Sequence, residues 1–130
     1  FLRPDWTVFD YGCGRGDDIR GLMREGFTAA GWDPHFAADA PRMESDVVNL
    51  GFVLNVIEDE DEREQAVRSA FALSRRVLSV AVMTDKVSSI AGSPFRDGYL
   101  TSRNTFQKYF SREVFQQFLE SSLMRPVVIV

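Results

Sequence analysis

Between Val8 and Asp18 the chain reads VFDYGCGRGDD: an acid, Asp10, then glycines at Gly12, Gly14 and Gly16, then two more acids, Asp17 and Asp18. Glycines at every second position let backbone N–H groups approach a ligand without intervening side chains, and a strand, glycine turn and helix in succession produce that geometry. A dinucleotide fingerprint, G-x-G-x-x-G, would need its third glycine at position 17, where this chain has Asp17. Two carboxylates at the helix start would also repel a pyrophosphate. The expected ligand therefore lacks phosphate and carries cationic groups. Asp33, in GWDP and followed by Pro34, closes the next apolar run, where an acid takes the two hydroxyls of a ribose. S-adenosylmethionine combines a ribose, an ammonium and a sulfonium in one molecule.

These residues sit in an alternation of short apolar runs and helical patterns, which signals an α/β fold. Thr7 to Tyr11 reads as a first strand. Asp17 to Glu25 reads as a helix with Ile19, Leu22 and Met23 on one face and Gly26 at its end. Gly21, inside that helix, costs about 1 kcal/mol and signals close approach of another backbone. Phe27 to Trp32 is a second strand, and DVVNLGFVLNV from Asp46 begins as the near-continuous apolar run of a central parallel strand. Glu58 to Arg76 reads as a helix, with acids in its first turn, arginines in its last, and an apolar stripe through Val67, Ala70, Phe71 and Leu73. Val77 to Met83 is another strand. Ser111 caps a helix in which Phe110 staples against Phe115, and Pro126 to Val130 is the last strand. Pro34 to Ser45 is too short for a helix, strand and helix, so the sheet is expected to lack an edge strand. The reading is a reduced Rossmann-like fold, a mostly parallel sheet with helices on both faces, in a single domain over residues 1–130.

Composition agrees with one globular domain: 45% of residues are hydrophobic and 26% charged, enough apolar surface for a core. A net charge of -4 argues against a protein that coats polyanions. One cysteine cannot form an internal disulfide, and no signal peptide or membrane-spanning run is visible, so a cytoplasmic location with no membrane partner is expected. Phe1 at one end and the apolar PVVIV at the other read as cuts from a longer chain.

D-x-G-x-G-x-G from Asp10 to Gly16, the acid at Asp33 and DVVNLGFVLNVIED after it resemble class I S-adenosylmethionine-dependent methyltransferases over nearly the whole chain. More narrowly, FDYGCGRGDD, GWDP, DVVNLGFVLNVIED and LTSRNTFQKYF together resemble the DNA phosphorothioation-associated methyltransferase family, known beside bacterial DNA sulfur-modification systems. The resemblance implies that the Gly12 to Gly16 loop, with Cys13, lies under the methionine portion of S-adenosylmethionine. It implies that Asp33 and Pro34 lie at the ribose and that Asp10 helps to hold the amino group. It also implies a strand between Asp33 and Asp46 and a closing antiparallel strand, and neither is visible in the sequence.

Glu44 and Ser45 are the candidates to meet the adenine amino group, with a solvated loop as the equal alternative. Gly51, Phe52 and Asn55 follow at the carboxyl end of the strand, facing the crevice where open α/β sheets bind ligands. Phe52 and Asn55 are the expected substrate contacts, although Phe52 also fits a core position. Cys13 and His35 read as a packing and a surface residue. No catalytic base and no metal-ligand set emerge. The N/D-P-P-Y/F stretch of amino-methyltransferases acting on DNA bases is replaced by NLGF, and no Pro-Cys nucleophile is present. Ser93 to Arg112 mixes Arg96, Arg103, Lys108 and Arg112 with five aromatic residues. Such a mixture could clamp nucleic acid, but the stronger reading is a packed lid with solvated cations. Three functions stand: methyl transfer to an unknown acceptor, a non-catalytic cofactor-binding module serving DNA-modification proteins, and, disfavoured by Asp17, a nicotinamide-dependent oxidoreductase.

Overall fold

The computed structural model describes residues 2–85 and 92–130. Strands β1 (Thr7–Tyr11), β2 (Thr28–Trp32), β3 (Ser45–Gly51) and β4 (Ser74–Ala81) form one sheet in the order β2-β1-β3-β4. A second, antiparallel sheet is built from β5 (Ser93–Phe95), β6 (Gly98–Leu100) and β7 (Phe106–Gln107). The helices are α1 (Asp17–Arg24), α2 (Glu60–Leu73) and α3 (Arg112–Leu123). The chain divides into two compact units, Phe1–Gly51 with Ser69–Val80, and Phe52–Arg68 with Ala81–Val130.

In the first unit β1 is the pivot, pairing parallel with β2 on one side and β3 on the other. Its alternation sends Phe9 and Tyr11 to one face and Val8 and Asp10 to the other, and all four are buried. The register sets Gly31, Asp10 and Asn49 side by side across β2, β1 and β3. Asp46 ties the strand starts together: its carboxylate accepts the Thr7 N–H at 2.9 Å and the Thr7 hydroxyl at 3.1 Å, and Arg76 Nε donates to it at 3.0 Å.

Helix α1 starts at Gly16, whose φ of 83° supplies the turn without a side-chain cap. It ends through left-handed Gly26 with a Phe27 N–H bond back to the Leu22 carbonyl at 3.0 Å. Ile19 and Leu22 turn inward, but Met23 is exposed and leaves the expected apolar face. Gly21 has no close backbone neighbour, since a Cβ there would meet only Arg24 Nη2 at 3.9 Å. The close approach lies at Gly31 instead, where a Cβ would press on Ile19, reach Cys13 Cβ at 2.8 Å and the Asp10 carbonyl at 2.9 Å. A dinucleotide loop uses its third glycine, on the helix, for helix–strand packing. Here the strand supplies that glycine, which frees position 17 for an aspartate.

Two expectations, and one strand that only the resemblance implied, are corrected. The expected helix from Glu58 to Arg76 is shorter, and no basic residue occupies its last turn. Arg75 and Arg76 begin β4, where Glu44 and Asp46 pair with them, so side-chain partners rather than the helix dipole account for their place. Pro126 to Val130 is not a strand; Val128 and Val130 are exposed and the segment has no ladder, without which an extended run is not a strand. Residues 34–44 add turns and an isolated Asp33–Ala37 bridge rather than an edge strand, as their number requires.

The second unit packs its small sheet and α3 around Phe106, Phe110, Phe115 and Leu119. Ser111 caps α3 by accepting the Val114 N–H at 3.2 Å, and Phe110 meets Phe115 edge-on at 5.7 Å, both as expected.

Candidate functional site

The glycine loop is held in left-handed backbone at three points, with φ of 87° at Gly12, 55° at Gly14 and 83° at Gly16. Four of its five amides, from Gly12 to Gly16, are taken within the chain. Gly12 and Cys13 donate to the Trp32 carbonyl at 2.7 and 3.0 Å, Gly16 donates to the Cys13 carbonyl at 2.9 Å, and Gly14 donates to Asp33 Oδ2 at 2.8 Å. The expectation of unshielded N–H groups is therefore corrected, because the chain consumes those donors itself. What the loop offers is room: a Cβ on Gly14 would meet nothing within 4 Å. A cradle with most of its donors already used suits a ligand that brings no phosphate.

Asp33 is the buried latch of this loop. Its Oδ1 accepts the N–H groups of His35 at 2.8 Å and Phe36 at 3.0 Å, while Oδ2 takes Gly14. Three of roughly four acceptor positions on a carboxylate are thus filled, leaving one, beside Gly14, for a hydroxyl. Burial opposes its ionisation, but the three N–H donors outweigh burial and hold its carboxyl below the ordinary range. A depressed folded value gives stability that is present above about pH 4 and lost as pH falls through the folded value. Asp33→Asn is accordingly expected to be less stable than the native chain at neutral pH, and the gap should shrink in acid. Urea unfolding followed by tryptophan fluorescence at neutral pH and near pH 3 measures both gaps. A gap that does not change with pH would refute the latch.

Asp10 is 7% exposed, and its Oδ1 accepts a 3.0 Å hydrogen bond from Asn49 Nδ2. Burial pushes its carboxyl above the ordinary range; the Asn49 bond opposes this, and Asp18 and Asp33 reinforce it. Beside it opens a cavity of about 160 Å³ between Leu2, Leu22, Val8 and Val47, with Asp18 at its border. Burial, with Asp10 and Asp33, raises the Cys13 thiol, so it stays protonated and serves packing. Asn49 was not among the residues expected at this site. Its signal in the sequence is slight, a polar residue inside the otherwise apolar DVVNL, and only the register across β1 shows what it meets.

The structure thus brings Asp10, Cys13, Gly14 and Asp33 together around the end of β1. Pro34 and His35 lie exposed in the turn beyond Asp33. Glu44 is exposed and faces Arg75 at 3.7 Å, while Ser45 is buried as the first residue of β3. Gly51 ends β3, and a Cβ there would lie 3.1 Å from Asn49 Nδ2.

Phe52 and Asn55 belong to the second unit. Phe52 is 56% exposed at a φ of 60°, a backbone region costly for an aromatic residue, and its N–H donates to the Ala81 carbonyl at 2.8 Å. Asn55 is 1% exposed and its amide is used by backbone throughout. Nδ2 donates to the Met83 and Lys108 carbonyls at 3.1 and 2.6 Å, and Oδ1 accepts the Met83 N–H at 2.8 Å. Its polarity in an apolar run, which pointed to a substrate contact, is met by a structural task.

The basic and aromatic residues considered for nucleic acid are largely occupied within their own unit. Arg96 pairs with Glu58 at 3.4 Å and lies over Phe95, Lys108 is 3.5 Å from Asp97, and Phe106 and Phe110 are core. Arg103 is exposed in a turn. Arg63, unremarked in the sequence, is the buried cation of this unit. Its guanidinium forks onto Asp97 with two 2.6 Å bonds and donates to the carbonyls of Ile57 and Glu58 at 2.7 and 3.0 Å.

No family model and no curated protein matches the chain. Among solved structures, it is similar to the 1,6-didemethyltoxoflavin-N1-methyltransferase of Burkholderia thailandensis, crystallised with 1,6-didemethyltoxoflavin and S-adenosylhomocysteine. The TM-score is 0.70 at 16% identity, covering 95% of this chain and 62% of that one. It is also similar to an S-adenosylmethionine-dependent methyltransferase from Thermotoga maritima, described as a possible histamine N-methyltransferase. That TM-score is 0.52 at 13% identity, covering 93% of this chain and 65% of the other. The chain therefore spans less than two thirds of the length of either structure. These likenesses establish the fold: a reduced, Rossmann-like α/β methyltransferase fold, as the sequence led one to expect. No helix among the described residues is long and apolar enough to cross a membrane.

Proposed function

We propose that the chain is the cofactor-binding part of an S-adenosylmethionine-dependent methyltransferase. The observation that carries this reading is the glycine loop itself: all four measured N–H donors are spent internally, while the space over Gly14 is open and the acids around it, Asp10, Asp18 and Asp33, favour a cation. The fit of these residues to a phosphate-free adenosyl ligand that carries an ammonium agrees with the S-adenosylhomocysteine of the Burkholderia structure. In this reading Gly12, Cys13, Gly14 and Gly16 shape the bed for the methionyl part, and Asp10 faces its ammonium. Asp33, with Pro34 after it, takes one ribose hydroxyl, and Gly51, at the end of β3, borders the adenosine; Glu44, expected at the adenine, lies instead beside the strand starts against Arg75. When bound, the cofactor supplies an electrophilic methyl group on sulfur. The chain's own contribution is positioning and electrostatics, since no general base stands in this site.

Phe52, exposed and held in a strained conformation, is the acceptor contact of this reading, with Asn55 holding the backbone around it. The acceptor itself is open. The Burkholderia enzyme acts on a small molecule, and the narrower sequence resemblance points to bacterial DNA sulfur modification, supported by its four sequence stretches alone.

Calorimetry with S-adenosylmethionine, S-adenosylhomocysteine and NAD tests the reading. Both adenosyl ligands should bind in preference to NAD, and a folded chain that binds neither would sink it. Transfer of labelled methyl from the cofactor to extracted DNA or to a small-molecule pool would then separate an enzyme from a binding module.

A further inference from the structure

Asn49 has a place in this site that burial alone does not explain. It and Asp10 are register partners on β3 and β1, and its amide donates one bond, to Asp10 Oδ1. Gly51, two residues on and on the same side of the strand, leaves that amide its room, because a Cβ there would stand 3.1 Å from Nδ2. Among the described residues no hydrogen bond reaches Asp10 Oδ2, and Asp10 borders the 160 Å³ cavity, with Asp18 and Ser79 as its other polar neighbours there. A carboxylate 7% exposed, with one oxygen held and its residue at the border of a small, largely apolar cavity, is arranged for a single cationic group.

We propose that Asn49 is a positioning residue of the cofactor site, fixing one oxygen of Asp10 so that the other is presented to the ammonium of the ligand's methionyl part. This rests on the cofactor reading above. The charged groups that reach Asp10 are Asp18 from α1 and Asp33 from the end of β2; β3 offers Asn49 and β4 offers Ser79, both neutral. Burial and both acids favour the protonated carboxyl, and the Asn49 N–H is the group that opposes them. Without it Asp10 keeps its proton to higher pH, and a neutral carboxyl cannot pair with an ammonium. Affinity that depends on ionised Asp10 is present above its pKa and lost as pH falls through it, so loss of Asn49 moves that fall upward.

The test is Asn49→Leu, which keeps the bulk and removes the donor. Calorimetry uses two probes between about pH 5 and pH 8: S-adenosylhomocysteine, which carries the ammonium, and 5′-methylthioadenosine, which lacks the methionyl tail. The expected result is about tenfold weaker S-adenosylhomocysteine binding at neutral pH, a fall-off displaced to higher pH, and unchanged methylthioadenosine binding. Gly51→Ala, which crowds the amide without removing it, should move the S-adenosylhomocysteine profile the same way by less, and serves if Asn49→Leu folds poorly. Equal losses for both probes would make Asn49 a merely structural residue and overturn the inference, as would a pH profile that does not move. If the native chain binds neither probe, the cofactor reading falls and this inference with it; if it binds both and Asn49→Leu alters neither, the inference falls alone.

Discussion

Asp97→Ala is expected to destabilise the second unit by about 3 kcal/mol, the lower end of the range for breaking a buried ion pair. The lower end applies because the Asp97 side chain is 31% exposed whereas that of Arg63 is 1% exposed. The loss is asymmetric. Removing Asp97 leaves a buried guanidinium with only the Ile57 and Glu58 carbonyls as acceptors, and no counter-charge. Removing the cation instead, with Arg63→Met, leaves Asp97 beside Lys108 at 3.5 Å and partly in water, and methionine fills much of the vacated volume. Asp97→Ala should therefore cost more than Arg63→Met, and the double variant should cost less than Asp97→Ala alone. The pair also predicts acid sensitivity. The Arg63 hydrogen bonds hold the Asp97 carboxyl below the ordinary range, so its contribution is present at neutral pH and lost as pH falls through the folded value. Both tryptophans, Trp6 and Trp32, lie in the first unit, so amide hydrogen exchange is the suitable readout. Equal costs for the two single variants would show that the charge pairing is not what matters.

Arg63 also marks where reading the sequence stops. In EDEDEREQAVRSAF it is one charge among many on a helix, and its partner lies 34 residues later in a two-residue turn between β5 and β6. Strands of two and three residues carry too few side chains to show an alternation, so the small sheet was unreadable and its aromatics read only as a packed lid or, less well, a nucleic-acid clamp. Local devices were legible because their parts are neighbours: the glycine turn after β1, the Gly26 stop, the Ser111 cap with Phe110 against Phe115. The ends of α2 and β4 were displaced because Arg75 and Arg76 fit a helix C-terminus as well as a strand, and only Glu44 and Asp46 decide between them. At the site, the residue types near the loop were legible and their bonds were not. That Asp33 latches Gly14, that Trp32 takes two loop amides, and that Asn49 meets Asp10 are all consequences of strand register.

Gly14→Val and Gly31→Ala should separate the two uses of glycine in this site, one kept for a ligand and one for packing. At Gly31 the added methyl meets Cys13 Cβ at 2.8 Å and the Asp10 carbonyl at 2.9 Å, as well as Ile19. The isoleucine tip can swing away, but the Asp10 backbone and the Cys13 Cβ cannot, so the end of β1 and the start of the loop must shift against β2 at a cost of about 1–3 kcal/mol. The shift reaches the loop without filling the space over Gly14, so the surviving folded fraction should lose less affinity for S-adenosylmethionine than Gly14→Val does. At Gly14 the surroundings are empty within 4 Å, so no clash with the protein arises, and the cost to folding is that of a β-branched residue at a φ of 55°, about 1–2 kcal/mol. The valine side chain instead enters the volume that the cofactor reading gives to the methionyl group, and affinity should fall by at least about a hundredfold, the equivalent of roughly 3 kcal/mol. A thermal melt and a ligand titration on the same sample distinguish the cases: in Gly31→Ala the lower melting point is the main effect and the loss of affinity the smaller one, whereas Gly14→Val loses affinity beyond anything its unfolded fraction explains. A folded Gly14→Val chain that still binds S-adenosylmethionine normally would mean that the open space over the loop is not the cofactor's, and the ligand would have to be sought elsewhere in the fold.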